Sequence, residues 1–318
     1  GLVHNAPGHG ADDYLVGLKN GLEIFSPVDY RGRYKLHELP KHLHEILTEN
    51  GEPRKVSDLK TSESIIEALA DFGMMHKSSE YHHSYPYDWR SKTPIIVRAT
   101  PQWFADLHDV KGLALKSIER VKFNPERGKT RLSSFIQGRN EWCISRQRSW
   151  GVPIPAFYYK DTPDVAIMTS ETIEHVIEVI EKKGIDAWFS EDQSDMKDWL
   201  PPSMTDQSQM LVRGKDTMDV WFDSGTSWNV IKNFYQESLK LKSLPDQLAD
   251  VYLEGSDQHR GWFQSSLLTK VACSGLPQAP YKQAVTHGFT LDESGIKMSK
   301  SIAKTISPEK IMKRDKES

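Results

Sequence analysis

Hydrophobic positions in this chain fall into a few periodic runs separated by polar, glycine- and proline-marked breaks. Near the start, Asp12-Asp13 precedes Tyr14, Leu15, Val16 and Leu18, which predicts a helix with acids in its first turn. Leu43, Ile46 and Leu47 predict a second helix closed by Asn50-Gly51, and Ile65, Ile66, Leu69 and Phe72 a third, begun at Ser62 and ended by Gly73. Residues 81–97 hold an aromatic, His- and Pro-rich linker or small ribbon, within which Ile95-Ile96-Val97 reads as a buried strand. Residues 114–139 carry two short helical patterns. Val165 to Met168 reads as a strand, and Ile173, Val176, Ile177 and Ile180 form a helical stripe from Ser170 to Gly184. The acidic, proline-interrupted stretch 186–215 predicts a surface excursion, inside an insertion spanning about residues 155–215.

The last hundred residues alternate in the β-α-β manner. Val251-Tyr252-Leu253 predicts a strand, Gly255 to Gln258 a turn, and Trp262, Phe263, Leu267, Leu268 and Val271 a helix. Ala284-Val285-Thr286 begins the next strand, followed by a lysine-rich loop. In parallel sheets of this kind ligands sit beyond the carboxyl ends of the strands, where the turn at 255 and the lysine loop both fall.

Composition narrows the class without deciding it. At 318 residues, two domains are expected. A net charge of −3 gives no global basic field, so any nucleic-acid contact must use local patches. No apolar run approaches the roughly 18 residues a membrane-spanning helix needs, and no membrane partner is expected. Two distant cysteines, Cys143 and Cys273, argue against a disulfide scaffold. The chain opens at Gly1-Leu2-Val3, like the middle of a strand, and ends in a polar run to Ser318. It is expected to be an internal piece of a longer protein.

The chemistry concentrates in three strings. Lys297-Met298-Ser299-Lys300-Ser301 places two ammonium groups within reach of one polyphosphate, although such a loop on its own reads as solvated surface. Glu254 to Phe263 crowds Glu254, Asp257, Gln258, His259, Arg260 and Trp262 into one turn. A helix cap accounts for Ser256 and Asp257 but not for the rest. Gly255 allows close backbone approach to a flat ligand. The opening string His4 to Tyr14 carries His4, His9, Asp12 and Asp13, a set that also fits zinc.

Together with Asp219 to Gly225 and Trp142 to Gly151, these strings resemble isoleucyl-tRNA synthetases, class I aminoacyl-tRNA synthetases of the bacterial and organellar branch, from end to end. The resemblance implies an α/β fold: the second half of a doubly wound, parallel Rossmann-like catalytic domain (98–318), preceded by the C-terminal part of an editing β-barrel domain (1–80). It implies that Trp221, Gln258 and Trp262 line an isoleucine pocket, and that Glu254, Gly255 and Asp257 hold the adenosine of ATP or the adenylate. His287, Met298 and Ser299 would lie beside that nucleotide, and Lys297 and Lys300 would stabilise departing pyrophosphate. Asp13 would bind the α-amino group of a misattached amino acid in the editing site, and His4 would press on its side chain. Implied partners are ATP with its Mg2+, isoleucine and tRNA(Ile), for a monomer in the mitochondrial matrix or a bacterial cytoplasm. Asp88 and Ser91 stand where some relatives carry a Cys-x-x-Cys pair, so no structural zinc is expected. A valyl- or leucyl-type ligase of the same fold and a non-catalytic tRNA-binding module are the rival readings. The central expectation is spatial: the turn near 255 and the cations near 298 should face one cleft.

Overall fold

The computed structural model describes residues 3–88, 91–162, 165–298 and 308–313. They divide into two compact units at Pro101 and Gln102.

In the first unit, helix α1 (Ala11–Asn20) ends at Gly21, whose φ of 64° is the left-handed conformation that releases a helix end. The helix expected around Leu43 to Leu47 is instead a short 3-10 turn, Lys41–Leu43, followed by the two-residue strands β1 (Thr48–Glu49) and β2 (Glu52–Pro53). Asn50-Gly51 is their hairpin turn rather than a helix stop: both residues have positive φ, 52° and 81°. Asn-Gly is the strongest two-residue hairpin signal, and it overrides the apolar spacing. Helix α2 (Leu59–Asp71) starts before Ser62, behind Asp58, and is released at Gly73. The strand expected at Ile95 to Val97 does not form, and Ile95 and Val97 are exposed. A short apolar run specifies burial only where a neighbouring surface is present to cover it.

The second unit begins with strand β3 (Phe104–Asp106) and helix α3 (His108–Ile118). Strand β4 (Lys122–Asn124) and helix α4 (Arg127–Gln137) follow, then β5 (Glu141–Cys143) and β6 (Ser145–Arg146). A small module comes next: β7 (Phe157–Tyr159), β8 (Ala166–Ile167), helix α5 (Ser170–Lys183), the short helix α6 (Met196–Trp199) and β9 (Leu211–Arg213). The chain continues through β10 (Thr217–Met218), α7 (Val220–Gly225) and α8 (Ser227–Asn233). It then forms β11 (Ala249–Gly255), α9 (Trp262–Ser274), β12 (Tyr281–His287) and, after the lysine loop, α10 (Pro308–Lys313).

The organising sheet is β11-β12-β4, parallel throughout. One face of it packs on α3, α4 and α9 through a core that includes Ile118, Phe123, Leu132, Tyr252, Phe263, Leu267 and Tyr281. Helix α9 is buried nearly all round, and its serines and threonine make that possible by bonding to backbone carbonyls. Thr269 Oγ1 donates to Gly225 O at 2.7 Å and itself accepts the Trp228 indole N–H at 3.1 Å. At Gly225 a β-carbon would lie 3.0 Å from the Ser265 backbone, so only glycine lets α7 come this close to α9. The Tyr281 hydroxyl donates to Phe263 O at 3.1 Å, and burial pushes its phenol pKa up, keeping it neutral.

Residues 186–215 are not a surface excursion. Trp188, Trp199, Leu200 and Leu211 are buried with Phe157 and Val176 in a second core belonging to the small module. The guanidinium of Arg213 passes through it to Asp195 at 2.6 Å and to the carbonyls of Trp188 and Asp192. Acids and prolines mask a segment whose two tryptophans supply most of its apolar surface.

Candidate functional site

Parallel pairing sets the site. In register, Glu254 lies opposite Thr286 and Gly255 opposite His287, at the carboxyl ends of β11 and β12. A β-carbon on Gly255 would fall 2.5 Å from Asp257 Oδ1, so any larger residue there would push the Asp257 carboxylate out of its place. Glu254, Asp257 and His287 are exposed around that buried glycine. The chain then makes a single 3-10 turn, Ser256–His259, and enters α9.

One side of this turn borders a cavity of about 800 Å³. Trp221, Asp257 and Gln258 line it, with Arg139, Arg146 and Arg260. Gln258 is fixed at both ends: its carbonyl oxygen accepts Trp262 N–H at 2.9 Å, and its amide donates to Asp257 Oδ2 at 3.1 Å. Gly261 is the point where Trp221 meets the turn, since a β-carbon there would be 3.1 Å from the indole ring. Trp262 is not among the residues lining this cavity. It stacks on Tyr252 with ring centroids 3.9 Å apart, and its indole donates to Ser224 O at 3.0 Å.

Asp219 anchors the cavity wall. Its side chain is only 6% exposed and caps α7 by accepting Trp221 N–H at 3.1 Å. It also accepts the buried Trp142 indole N–H at 3.2 Å and pairs with Arg146 at 2.8 Å. Arg139 lies over the Trp142 ring at 5.0 Å and donates to Gln264. Asp219, Arg139 and Arg146 were not singled out from the sequence as site residues, and Arg260 only as one of those crowding the turn. Position alone could have flagged Asp219, which sits one residue before the helix that delivers Trp221.

Lys297 lies on the loop leaving β12, a narrow hairpin in which Leu291 bridges to Lys297 and Met298 N donates to Thr290 O. Asp292 Oδ1 holds the hairpin tip by accepting Ser294 and Ile296 N–H. The Lys297 ammonium sits 3.6 Å from the Phe289 ring centroid, and it lines neither this cavity nor a second one beyond the turn. Ser299 and Lys300 lie outside the described residues. Among the described residues, Lys297 and the turn near 255 therefore line no cavity in common, and the expected shared cleft is not seen between them.

In the first unit, Asp13 Oδ2 accepts Ala6 N–H at 3.0 Å, which ties the opening loop to α1, and His4 is exposed at the start of that loop. Asp88 Oδ1 accepts Ser91 N–H at 2.6 Å, closing a turn. Among the described residues no group of three or more His, Cys, Asp or Glu side chains is placed to hold a metal.

A parallel sheet whose strand ends carry a glycine turn beside a charged and aromatic cavity is the place where open α/β sheets hold their ligands. A family model for class I tRNA synthetases (I, L, M and V) matches residues 41–316, and the chain belongs to that family. Its catalytic-domain fold is mixed α/β with a parallel sheet. Over 318 residues the chain is 62% identical to the mitochondrial isoleucine–tRNA ligase of Saccharomyces cerevisiae, covering 99% of this chain and 32% of that one. It is 48% identical over 318 residues to isoleucine–tRNA ligase of Microcystis aeruginosa, covering 100% and 31%. It is 47% identical over 316 residues to that of Synechocystis, covering 98% and 29%. The chain thus spans about a third of the length of these relatives.

Proposed function

We propose that this chain carries part of the active site of an isoleucine–tRNA ligase, which joins isoleucine to tRNA(Ile) through an isoleucyl-adenylate. The observation that carries the reading is the register of Glu254 and Gly255 against Thr286 and His287, directly beside a cavity walled by Trp221 and Gln258. ATP would place its ribose hydroxyls against Glu254 and Asp257 and its base near His287, with Met298 and Ser299 along the adjoining loop. The isoleucine side chain would meet Trp221 and Gln258, with Trp262 behind them as a stacked support. The amino-acid carboxylate attacks the α-phosphate in line, the bond to the bridging oxygen breaks, and pyrophosphate leaves. No covalent enzyme intermediate is needed, so positioning and charge neutralisation do the work. Lys297 and Lys300 would neutralise the leaving group, and the Mg2+ carried by ATP would share that charge.

The finer architecture belongs to the same proposal. Residues 98–318 form the second half of a doubly wound domain, and residues 1–80 the C-terminal part of an editing β-barrel. Editing answers a physical limit of which isoleucine against valine is the standard illustration: one methylene is worth only about 1–3 kcal/mol in a pocket. Asp13 would take the α-amino group of misattached valine by a charge-assisted bond, and His4 would exclude the larger side chain. A place in the mitochondrial matrix or a bacterial cytoplasm is supported by relatives that are mitochondrial and bacterial, and the enzyme is read as a monomer.

The test is isoleucine-dependent ATP–pyrophosphate exchange in the full-length protein. Lys297→Ala should lower kcat with little change in KM for isoleucine, and Trp221→Ala should raise that KM. Exchange undiminished by both substitutions would remove the reading.

A further inference from the structure

We infer that His259 and Gly128 are a positioning pair: the His259 imidazole, seated on the first turn of α4 where glycine leaves room for it, sets the turn that presents Asp257 and Gln258 to the Trp221 cavity. The inference rests on the ligase reading above and gives neither residue a contact with substrate. His259 belongs to the 3-10 turn Ser256–His259, yet it is 2% exposed and lines no part of the Trp221 cavity. Its neighbours Asp257 and Gln258 do line it.

Three contacts fix the imidazole. Its Nδ1 donates to Ser256 O at 2.8 Å, which closes the turn and places the ring hydrogen on that nitrogen. The Phe263 ring of α9 meets it edge-on, with centroids 5.6 Å apart and planes at 87°. Its Nε2 is buried without a hydrogen-bond partner and lies against α4, where a β-carbon on Gly128 would be only 2.8 Å away. Burial holds the imidazole below its ordinary pKa, and Arg131 adds to this against the opposing charge of Asp257, so the ring is neutral. A buried nitrogen left unpaired is a cost, so the ring is held here by its shape and its one bond.

Gly128 is buried within α4 and has no positive φ, so its backbone conformation does not call for glycine, and alanine would suit the helix better. What the missing side chain supplies is room: an added β-carbon would meet His259 Nε2 at 2.8 Å and the Phe123 ring at 3.2 Å. The imidazole cannot swing aside without giving up Ser256 O or striking Phe263. Its displacement therefore passes to the turn. There Arg260 N–H donates to Asp257 O at 3.0 Å and Gly261 N–H to Gln258 O at 3.2 Å, while the Gln258 side chain accepts Trp262 N–H at 2.9 Å. These bonds make the turn move as one piece and carry Asp257 and Gln258 with it.

The test is isoleucine-dependent ATP–pyrophosphate exchange in the full-length protein, with isoleucine and ATP varied in turn and thermal melting measured alongside. Gly128→Ala should raise KM for isoleucine by about tenfold, on a scale where a misplacement of about 1 Å costs roughly 100-fold. Its melting midpoint should stay near that of wild type, because the helix propensity gained offsets the crowding. His259→Asn keeps a donor for Ser256 O and has no ring to meet a β-carbon at 128, so Gly128→Ala added to it should cost less than about twofold. An unchanged isoleucine KM in Gly128→Ala, an equal penalty in both backgrounds, a rise confined to the KM for ATP, or a fall in melting that accounts for the loss would each overturn the pair. If His259→Asn does not fold, the KM values and melting of Gly128→Ala still decide. Wild-type protein without exchange would remove the ligase reading and the pair's role with it, whereas wild-type exchange matched by Gly128→Ala would remove the pair alone.

Discussion

Removing the carboxylate of Asp219 isolates how far the Trp221 cavity depends on one buried group. In Asp219→Ala, helix α7 loses its cap, worth about 1 kcal/mol. The Trp142 indole N–H, on a residue 4% exposed, is left without an acceptor at about 1–3 kcal/mol. Arg146 is 35% exposed and recovers water, so its lost ion pair adds less than about 1 kcal/mol. These bonds share one carboxylate and do not add fully, which gives an expected loss of about 3 kcal/mol. Asp219→Asn keeps an oxygen for the cap or the indole and should lose clearly less. The measurement is urea unfolding of both variants followed by tryptophan fluorescence. An Asp219→Ala variant within about 1 kcal/mol of wild type would refute the reasoning, as would an Asn variant equally damaged.

Other outcomes follow from groups described above. Arg213→Met should destabilise the small module by about 3–5 kcal/mol, because it strands Asp195 and the carbonyls its guanidinium serves. Burial pushes the Asp195 carboxyl up, but hydrogen bonds from Arg213 and Trp199 more than offset this and hold it below the usual range. Its stabilising contribution is therefore complete above the ordinary carboxylate pKa and is lost as pH falls through the lowered one, to be read as acid-dependent melting that Arg213→Met flattens. Gly8→Ala should cost about 1–3 kcal/mol in thermal melts, since a β-carbon there would fall on the Phe25 carbonyl oxygen. Gly112→Ala, inside α3 with open space around it, should be neutral or stabilising by up to about 1 kcal/mol.

The parts of the fold legible in the sequence were those with strong local signals. Val251-Tyr252-Leu253, Gly255 and the Trp262 to Val271 face form a strand, turn and helix, and α5 runs from Ser170 up to Gly184. Strand β4 is three residues long, Lys122 to Asn124, and only its place beside β12 makes it a strand; three residues carry too little period to read. The Leu43 to Leu47 spacing misled because Asn50-Gly51 acts as a hairpin, and the charges of 186–215 concealed Trp188 and Trp199. At the site, Trp221, Asp257 and Gln258 stand together on one cavity. The arginines around them come from the loop after α4, from β6 and from the turn just before α9, a convergence that no spacing along the chain displays.

The four-residue turn after β11 has a mechanical consequence. It is a wall shared by two cavities: Asp257 and Gln258 line one, Ser256 and His259 the other. A substitution that reshapes this turn therefore changes the walls of both cavities at once, and its effects on the two will not be independent.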